Sequence, residues 1–156
     1  MKLEISWSRR ILLKDSNSAK MGYGIDLDKV TNKAGVYIFG RQWGTQFEAL
    51  YIGKAGNLRS RIKSHLNNLQ LMQHLRDARS GKRMLLAGTF IPKPGQQLQR
   101  SLTLMEKALI RYFLSEGHDL VNKMGVKLRR HQLHFSGDHP KRFFPRDIFL
   151  EKAKGE

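Results

Sequence analysis

Four side chains that can bind a phosphate or transfer a proton lie between residues 37 and 65. Tyr37 and Tyr51 supply two phenols, Arg61 a guanidinium, and His65 an imidazole. A guanidinium stays charged and its planar fork of donors matches phosphate geometry, whereas an imidazole changes charge near neutral pH. A free phenol has a pKa of about 10, so it acts as a base only where cations favour its ionised form or its proton is relayed. These residue types suit the binding and hydrolysis of a phosphate ester.

The local pattern predicts two strands followed by a helix that bring these groups together. Residues 36–39 and 49–52 are rich in branched and aromatic side chains, and glycines flank both runs, which predicts a β-hairpin. The next apolar residues recur every three to four positions, as in an amphipathic helix. They are Leu58, Ile62, Leu66 and Leu69. Arg61 and His65 are four residues apart and therefore neighbour each other on that helix, beside the edge of the sheet.

A carboxylate is expected on the buried side of a later helix. Residues 97–116 form the clearest helical segment, which ends at Gly117. Its apolar face consists of Leu102, Met105, Leu109, Tyr112 and Phe113. Successive residues turn by about 100°, which places Glu106 within that face. A buried carboxylate is costly unless it is neutralised or has a cationic partner, so either an internal arginine or a metal ion is expected beside it.

Several positions in this region also keep the offsets of a known signature. They are Gly35-Val36-Tyr37, Tyr51-Ile52-Gly53, Lys54, Asn57-Leu58 and Arg61. This set resembles the signature of the GIY-YIG endonuclease superfamily, and the chain looks like a stand-alone member. The family includes homing endonucleases, the 3′-incising half of a nucleotide-excision repair nuclease and some restriction enzymes. The resemblance extends over about residues 35–122, although Ala34 stands where many relatives carry proline.

The resemblance implies a metal-dependent endonuclease that hydrolyses phosphodiester bonds in DNA. It implies that Glu106 binds Mg²⁺, for which Mn²⁺ can substitute, and that a motif tyrosine acts as the base. We favour Tyr37 for this role, with Tyr51 orienting water or serving in its place. Asn122 resembles the family's later asparagine, which helps to shape the site.

The residue chemistry adds further expected roles. A single carboxylate together with phosphate oxygens and waters is a common way to hold Mg²⁺, which would stabilise the departing 3′ oxyanion. Arg61 is expected to stabilise the crowded transition state at phosphorus. Lys54 would favour ionisation of the tyrosine, and His65 would relay a proton or bind the phosphate.

The expected fold is α+β, with a small three-stranded antiparallel sheet flanked by helices, as the resemblance implies. The apolar run at residues 84–91 predicts the third, central strand, in which Gly88 indicates a bulge or a close backbone approach. The expected divisions are an N-terminal arm (1–34), a nuclease core (35–122) and a basic C-terminal extension packed on the core (123–156).

The N-terminal arm allows two interpretations. Leu3, Ile5 and Trp7 alternate with polar residues, which predicts a strand. In one interpretation the arm is a terminal strand that covers the core. In the other, the arm contacts the substrate.

The net charge favours a polyanionic partner. The chain has 29 Lys and Arg against 13 Asp and Glu, a formal charge of +16. Nucleic acid is the first expectation and an anionic membrane surface the second. The expected substrate-binding residues are Lys54, Arg59, Lys63, Trp43, Arg129 and Arg130.

Two aromatic or basic regions remain open to alternative interpretations. Residues 40–48 are expected to form a loop longer than a two-residue turn, whose Trp43 either stacks on nucleic acid or folds onto the core with Phe47. Basic and aromatic residues alternate after residue 123, which suits a phosphate-tracking groove or a solvated face. A zinc site is a further alternative there, with His131, His134 and His139 as ligands.

Composition narrows the remaining possibilities. The chain has no cysteine, which excludes disulfides and thiolate metal sites. No apolar run is long enough to span a bilayer and the N-terminus lacks a signal-peptide core, so a cytoplasmic location without membrane contact is expected. The protein is expected to act as a monomer or a homodimer. The alternative functions are a non-catalytic nucleic-acid-binding protein that retains the nuclease fold and, less favoured, a membrane-surface protein.

Overall fold

The computed structural model describes residues 1–15, 23–118, 120 and 131–150. The helices are Leu58–His65 (α1), Leu69–Asp77 (α2) and Leu98–Ser115 (α3), preceded by a short 3-10 turn at Leu27–Lys29. The strands are Lys2–Trp7 (β1), Ile11–Leu12 (β2), Lys14–Asp15 (β3), Tyr23–Gly24 (β4), Gly35–Trp43 (β5), Gln46–Ala55 (β6), Lys82–Ile91 (β7), His131–Gly137 (β8) and Asp147–Leu150 (β9).

One large mixed sheet dominates the described part of the chain. Seven strands form it in the order β6-β5-β7-β1-β8-β9, with β2 also paired to β7. β1 and β8 run parallel, whereas the other neighbouring strands are antiparallel. The sheet curls into a half-barrel, and β3 and β4 form a separate two-stranded ribbon. The candidate hairpin, β5 and β6, lies at one edge.

The expected small three-stranded antiparallel sheet is therefore wrong. The residues expected to form an arm contribute β1, which lies between β7 and β8 inside the sheet. Those expected to form a basic extension contribute β8 and β9. The physical reason is the period-two alternation of buried residues in both segments, since Leu133 and Phe135 are buried between polar neighbours as Leu3 and Ile5 are. High charge near the C-terminus concealed that pattern.

Two apolar clusters cover the opposite faces of the sheet. On β5, Val36 and Ile38 belong to the cluster that includes α3, while Tyr37 and Phe39 belong to the one that includes α1 and α2. Since successive residues of a strand point to opposite faces, α3 packs on one side and the shorter helices on the other. The residues of β7 from Met84 to Gly88 are buried, as expected for a central strand.

The hairpin differs from its expected form. Its strands continue to Trp43 and Gln46, so the turn has only two residues and the expected longer loop is wrong. Gly44 takes a positive φ of 57°, which suits the first central position of a tight hairpin turn. A bulge follows, because Phe39 pairs with Tyr51 but Gly40 pairs with Ala49. As a result, Leu50 and Tyr51 both contact the cluster of α1 and α2.

Side-chain caps fix the starts of α1 and α2. The Asn57 side chain accepts a hydrogen bond from the Ser60 amide, and Asn68 does the same for Leu71. The α1 cap sets where Arg61 and His65 stand relative to the hairpin. None of the helices in the described ranges is long and apolar enough to cross a membrane.

Candidate active site

Tyr37 lies at the centre of the candidate site. Its side chain is fully buried on β5, its hydroxyl is hydrogen bonded to Nε2 of His65, and the positive charge of Arg61 acts on it. α1 supplies both partners from adjacent turns. On β6, Gly53 lies directly opposite Tyr37, and a Cβ there would overlap the phenolic hydroxyl. Glycine at position 53 therefore creates the space that the hydroxyl occupies.

The hydrogen-bond roles follow from what each group can donate. Arg61 has only donors, so it can only donate toward the Tyr37 oxygen, and Tyr37 directs its own hydrogen to Nε2 of His65. Burial, reinforced by the charge of Arg61, lowers the pKa of His65 to about 4. The imidazole is therefore neutral at pH 7, with Nε2 as acceptor and the hydrogen on Nδ1. This arrangement can receive the proton of Tyr37.

The phenol of Tyr37 is neutral rather than ionised. Burial raises the pKa of Tyr37 and the nearby Tyr51 raises it further, against the opposing effect of Arg61. A free phenolate is therefore disfavoured at pH 7. Of the two ways in which a tyrosine can act as a base, the geometry favours proton relay to His65.

Tyr51 packs against the buried pair and remains partly exposed. Its ring stacks on Tyr37 with the centroids 6.2 Å apart and meets the edge of His65 at 5.2 Å. The bulge in β6 places it there. Tyr51 is thus the phenol that faces solvent, while the Tyr37 hydroxyl lies beneath it and beside Arg61.

Glu106 approaches the same site from the other face of the sheet. It stands half-buried on α3, and burial raises the pKa of its carboxyl group. The charge of Lys54, a hydrogen bond from the Lys54 backbone, and the charge of Arg61 oppose that shift. Lys54 Nζ also donates to Oγ1 of Thr103 at 2.6 Å, one turn before Glu106. Lys54 therefore joins the edge strand to α3 beside the carboxylate.

An open cleft of about 540 Å³ adjoins these groups at the start of α1. Its lining residues are Lys54, Ala55, Gly56, Asn57, Ser60, Arg61 and Ser64. Both charged residues in this set are cations, and the two serines add hydroxyl donors. The positive end of the α1 dipole points the same way. The cleft therefore suits an anionic group.

The other predicted site residues lie elsewhere or have other partners. Arg59 donates through Nε to the Val30 carbonyl at 2.8 Å, and Lys63 is exposed on α1. Trp43 is 40% exposed at the far end of β5, six residues or about 20 Å from Tyr37, with the Arg41 guanidinium over its ring. The remaining predicted residues, Asn122, Arg129 and Arg130, fall outside the described residues.

The donor set fits Mg²⁺ better than zinc. In the described ranges, no three His, Asp or Glu side chains gather in a way that could hold a metal ion. His134 bonds to Asp147 at 2.7 Å, and His139 is buried against the rings of Phe135 and Phe144. What the described residues offer is the half-buried carboxylate of Glu106 near a cleft whose lining includes two cations. Mg²⁺ accepts that arrangement, because it keeps several waters and takes further oxygens from a phosphate.

Two positioning residues were missed by the sequence interpretation. Gly53 is part of the signature, but its place opposite Tyr37 follows only from the hairpin register. Thr103 was not noted at all. A polar residue three positions before Glu106 lies on the same helix face, which is the signal that could have identified it.

Comparisons with known proteins return no match. No family model matches the chain, and no curated protein or solved structure matches it either.

Proposed function

We propose that this protein is a metal-dependent endonuclease of the GIY-YIG type that hydrolyses phosphodiester bonds in DNA. One observation carries the proposal: the Tyr37 hydroxyl is hydrogen bonded to His65, and the charges of Arg61 and Glu106 both act on it. These residues come from β5, α1 and α3, and their convergence is not required by core packing. The net charge of +16 supports a nucleic-acid substrate.

Arg61 binds the scissile phosphate in this mechanism. Its side chain is exposed at the cleft while its contact with Tyr37 anchors one side of the guanidinium. Because a guanidinium has five N–H donors in a planar arrangement, two of them can bind two phosphate oxygens as a fork. Lys54 adds a second positive charge at the other side of the cleft. Together they offset the charge that develops at phosphorus.

Tyr37 and His65 accept the proton of the attacking water. As Arg61 engages the phosphate, it shifts from the Tyr37 oxygen and exposes one of its lone pairs to that water. The water then gives its proton to Tyr37 while Tyr37 passes its own to Nε2 of His65. Neutral His65 is ready for this step at pH 7 because its pKa is about 4. Tyr51 orients the water from the solvent side.

Glu106 would hold Mg²⁺ through its carboxylate. When bound, the cation supplies charge neutralisation at the phosphate and at the departing 3′ oxygen. The residues around Glu106 fit this role, since Lys54 and Arg61 favour its ionised form and burial limits competing water. The rise in its pKa caused by burial is relieved when a cation faces the carboxylate.

A cleavage panel tests the proposal. The protein is incubated with plasmid and with duplex, single-stranded and branched oligonucleotides in Mg²⁺, and the product ends are mapped. Glu106→Ala and Arg61→Ala are expected to abolish cutting, whereas Glu116→Ala, which removes an exposed carboxylate just after α3, is expected to cut normally.

The outcomes separate the candidate functions. Undiminished cutting by both site variants would contradict the proposal. DNA binding by a wild-type protein that cuts no substrate would instead support a non-catalytic nucleic-acid-binding protein. A parallel set of RNA substrates shows whether the activity is confined to DNA.

A further inference from the structure

A second basic surface lies away from the cleft and joins the two ends of the described chain. Arg9 and Arg10 follow β1, while Lys141 and Arg142 lie between β8 and β9, and all four side chains are exposed. They surround a groove of about 530 Å³ that also includes Asp138 and Phe143. We call this surface the terminal groove. Its cations are some 130 positions apart in the sequence, so the sheet alone brings them together.

The charge of the terminal groove is strongly one-sided. Four cations face a single carboxylate, Asp138, whose nearest positive partner is Arg9 at 3.6 Å. That pair is largely solvent-exposed, so it is weak and neutralises little of the groove. Arg142 and Lys141 make no ion pair with any residue in the described ranges. A net positive charge is left for a ligand.

The floor of the terminal groove is formed by packed side chains. The ring of Phe143 stacks on Phe47 with centroids 4.5 Å apart and planes 8° apart. Leu86 and Gln42 come from adjacent strands of the sheet. A preformed floor lowers the conformational-entropy cost of binding, so the groove is better suited to hold a ligand than a set of freely moving side chains would be.

We propose that the terminal groove binds the phosphate backbone of DNA at a distance from the cleft. The choice of DNA as the ligand in this proposal rests on the proposed function. Gln42 at the groove lies five residues from Tyr37 on β5, about 17 Å along the strand, and on the opposite face of the sheet. The groove therefore contacts the flanking part of the substrate. Exposed cations around an apolar floor contact phosphates and not base edges, so binding there does not depend on DNA sequence.

A concave groove of this size fits one chain of phosphates better than a flat bilayer. An anionic lipid surface presents its charge over a plane and is bound by convex basic patches or amphipathic helices. The terminal groove has neither form. DNA is thus the occupant that the geometry favours, and lipid is the competing outcome to exclude.

The test measures DNA affinity without cleavage. The background is Glu106→Ala in the absence of divalent cations, and the probe is a labelled duplex in a fluorescence anisotropy titration at several salt concentrations. The groove variant carries Arg10→Gln and Arg142→Gln. The matched control carries Lys2→Gln and Lys93→Gln, two exposed cations at the opposite end of β1. Thermal unfolding confirms that each variant is folded, and Arg142→Gln alone serves if the double variant is not.

The groove variant is expected to bind about tenfold more weakly, with a salt dependence of log Kd reduced by about two. The control is expected to lose less than about threefold. Equal losses in both variants would show a general charge effect and overturn the proposal. The proposal would also be overturned if the groove variant kept its affinity for DNA and lost binding only to phosphatidylserine vesicles.

The two proposals fail separately. If the wild-type protein never cuts DNA in Mg²⁺, while the groove substitutions still weaken DNA binding, only the endonuclease proposal is refuted. If the wild-type protein cuts DNA, but the groove substitutions leave DNA affinity unchanged, only the proposal for the terminal groove is refuted.

Discussion

The Tyr37 hydroxyl occupies the space where residue 53 would carry a side chain. Tyr37 and Gly53 are directly paired across β5 and β6, and a Cβ at position 53 would overlap that hydroxyl. The hydrogen bond of Tyr37 to His65 depends on this space. The glycine is thus a positioning residue for the site.

Gly53→Ala is therefore expected to displace Tyr37 and to lower DNA cleavage. Overpacking at such a buried point destabilises the fold by about 1–3 kcal/mol. Gly24→Ala is the control, because a Cβ there meets only the Lys14 carbonyl oxygen at 3.9 Å. Urea denaturation and initial cleavage rates measure both effects. Wild-type activity in Gly53→Ala would show that the Tyr37 position is not critical.

The two tyrosines are expected to differ in their contribution to cleavage. In the proposed mechanism Tyr37 passes a proton to His65, so Tyr37→Phe should lower kcat by roughly 10²- to 10⁴-fold. Tyr51→Phe keeps the stacked ring and loses only the contact to water, so its loss should be smaller. Single-turnover cleavage with saturating protein compares the two. The reverse order would assign the base to Tyr51.

The relay to His65 predicts a flat pH profile above neutrality. If Tyr37 reacted as a free phenolate, its raised pKa would make the rate climb about tenfold per pH unit. With neutral His65 as acceptor, log(kcat/KM) should change little between about pH 7 and 9. At lower pH the rate should fall as Glu106 takes up a proton, since burial raises its pKa. A slope of one across the alkaline range would contradict the relay.

The hairpin, the helices and the central strand could be predicted because each is encoded by a local pattern. The apolar residues Leu58 and Ile62, for instance, are four positions apart, so their helical pattern is readable within a few residues. The mixed sheet could not, since the pairing of Ile5 with Phe135 joins segments that no local pattern relates. The same limit applied to the site. Residue types suggested Tyr37 and Glu106, but the neutral state of His65 depends on three-dimensional burial.

His65 should also make stability depend on pH. Its folded pKa of about 4 lies below the unfolded value of 6.5, so only the unfolded state gains a proton between these limits. The free energy of unfolding should therefore decrease as the pH falls from about 6.5 to 4, by about 3 kcal/mol from this residue. Below pH 4 both states are protonated and the loss is complete.

His65→Gln tests this linkage. The quantity to compare is the slope of unfolding free energy against pH and not the absolute stability, because the variant also loses the hydrogen bond to Tyr37. The slope of unfolding free energy against pH should shrink by up to about 1.4 kcal/mol per pH unit in that window. His139, whose pKa is also lowered to about 4 by burial, keeps its own contribution. An unchanged slope would mean that the pKa of His65 is the same in the folded and unfolded protein, so that burial does not lower it.

Glu106 is expected to report Mg²⁺ binding directly through its titration. In protein labelled with ¹³C at the glutamate carboxyl groups, the Glu106 signal should titrate above the ordinary glutamate range, because burial raises its pKa. Mg²⁺ should move that pKa downward, since a bound cation favours the charged carboxylate. Glu116, exposed just beyond α3, is the internal control, and Mg²⁺ is expected to leave its ¹³C signal in place. Equal shifts of both signals, or no shift of Glu106 even with uncleavable DNA present, would show that this carboxylate does not hold the cation.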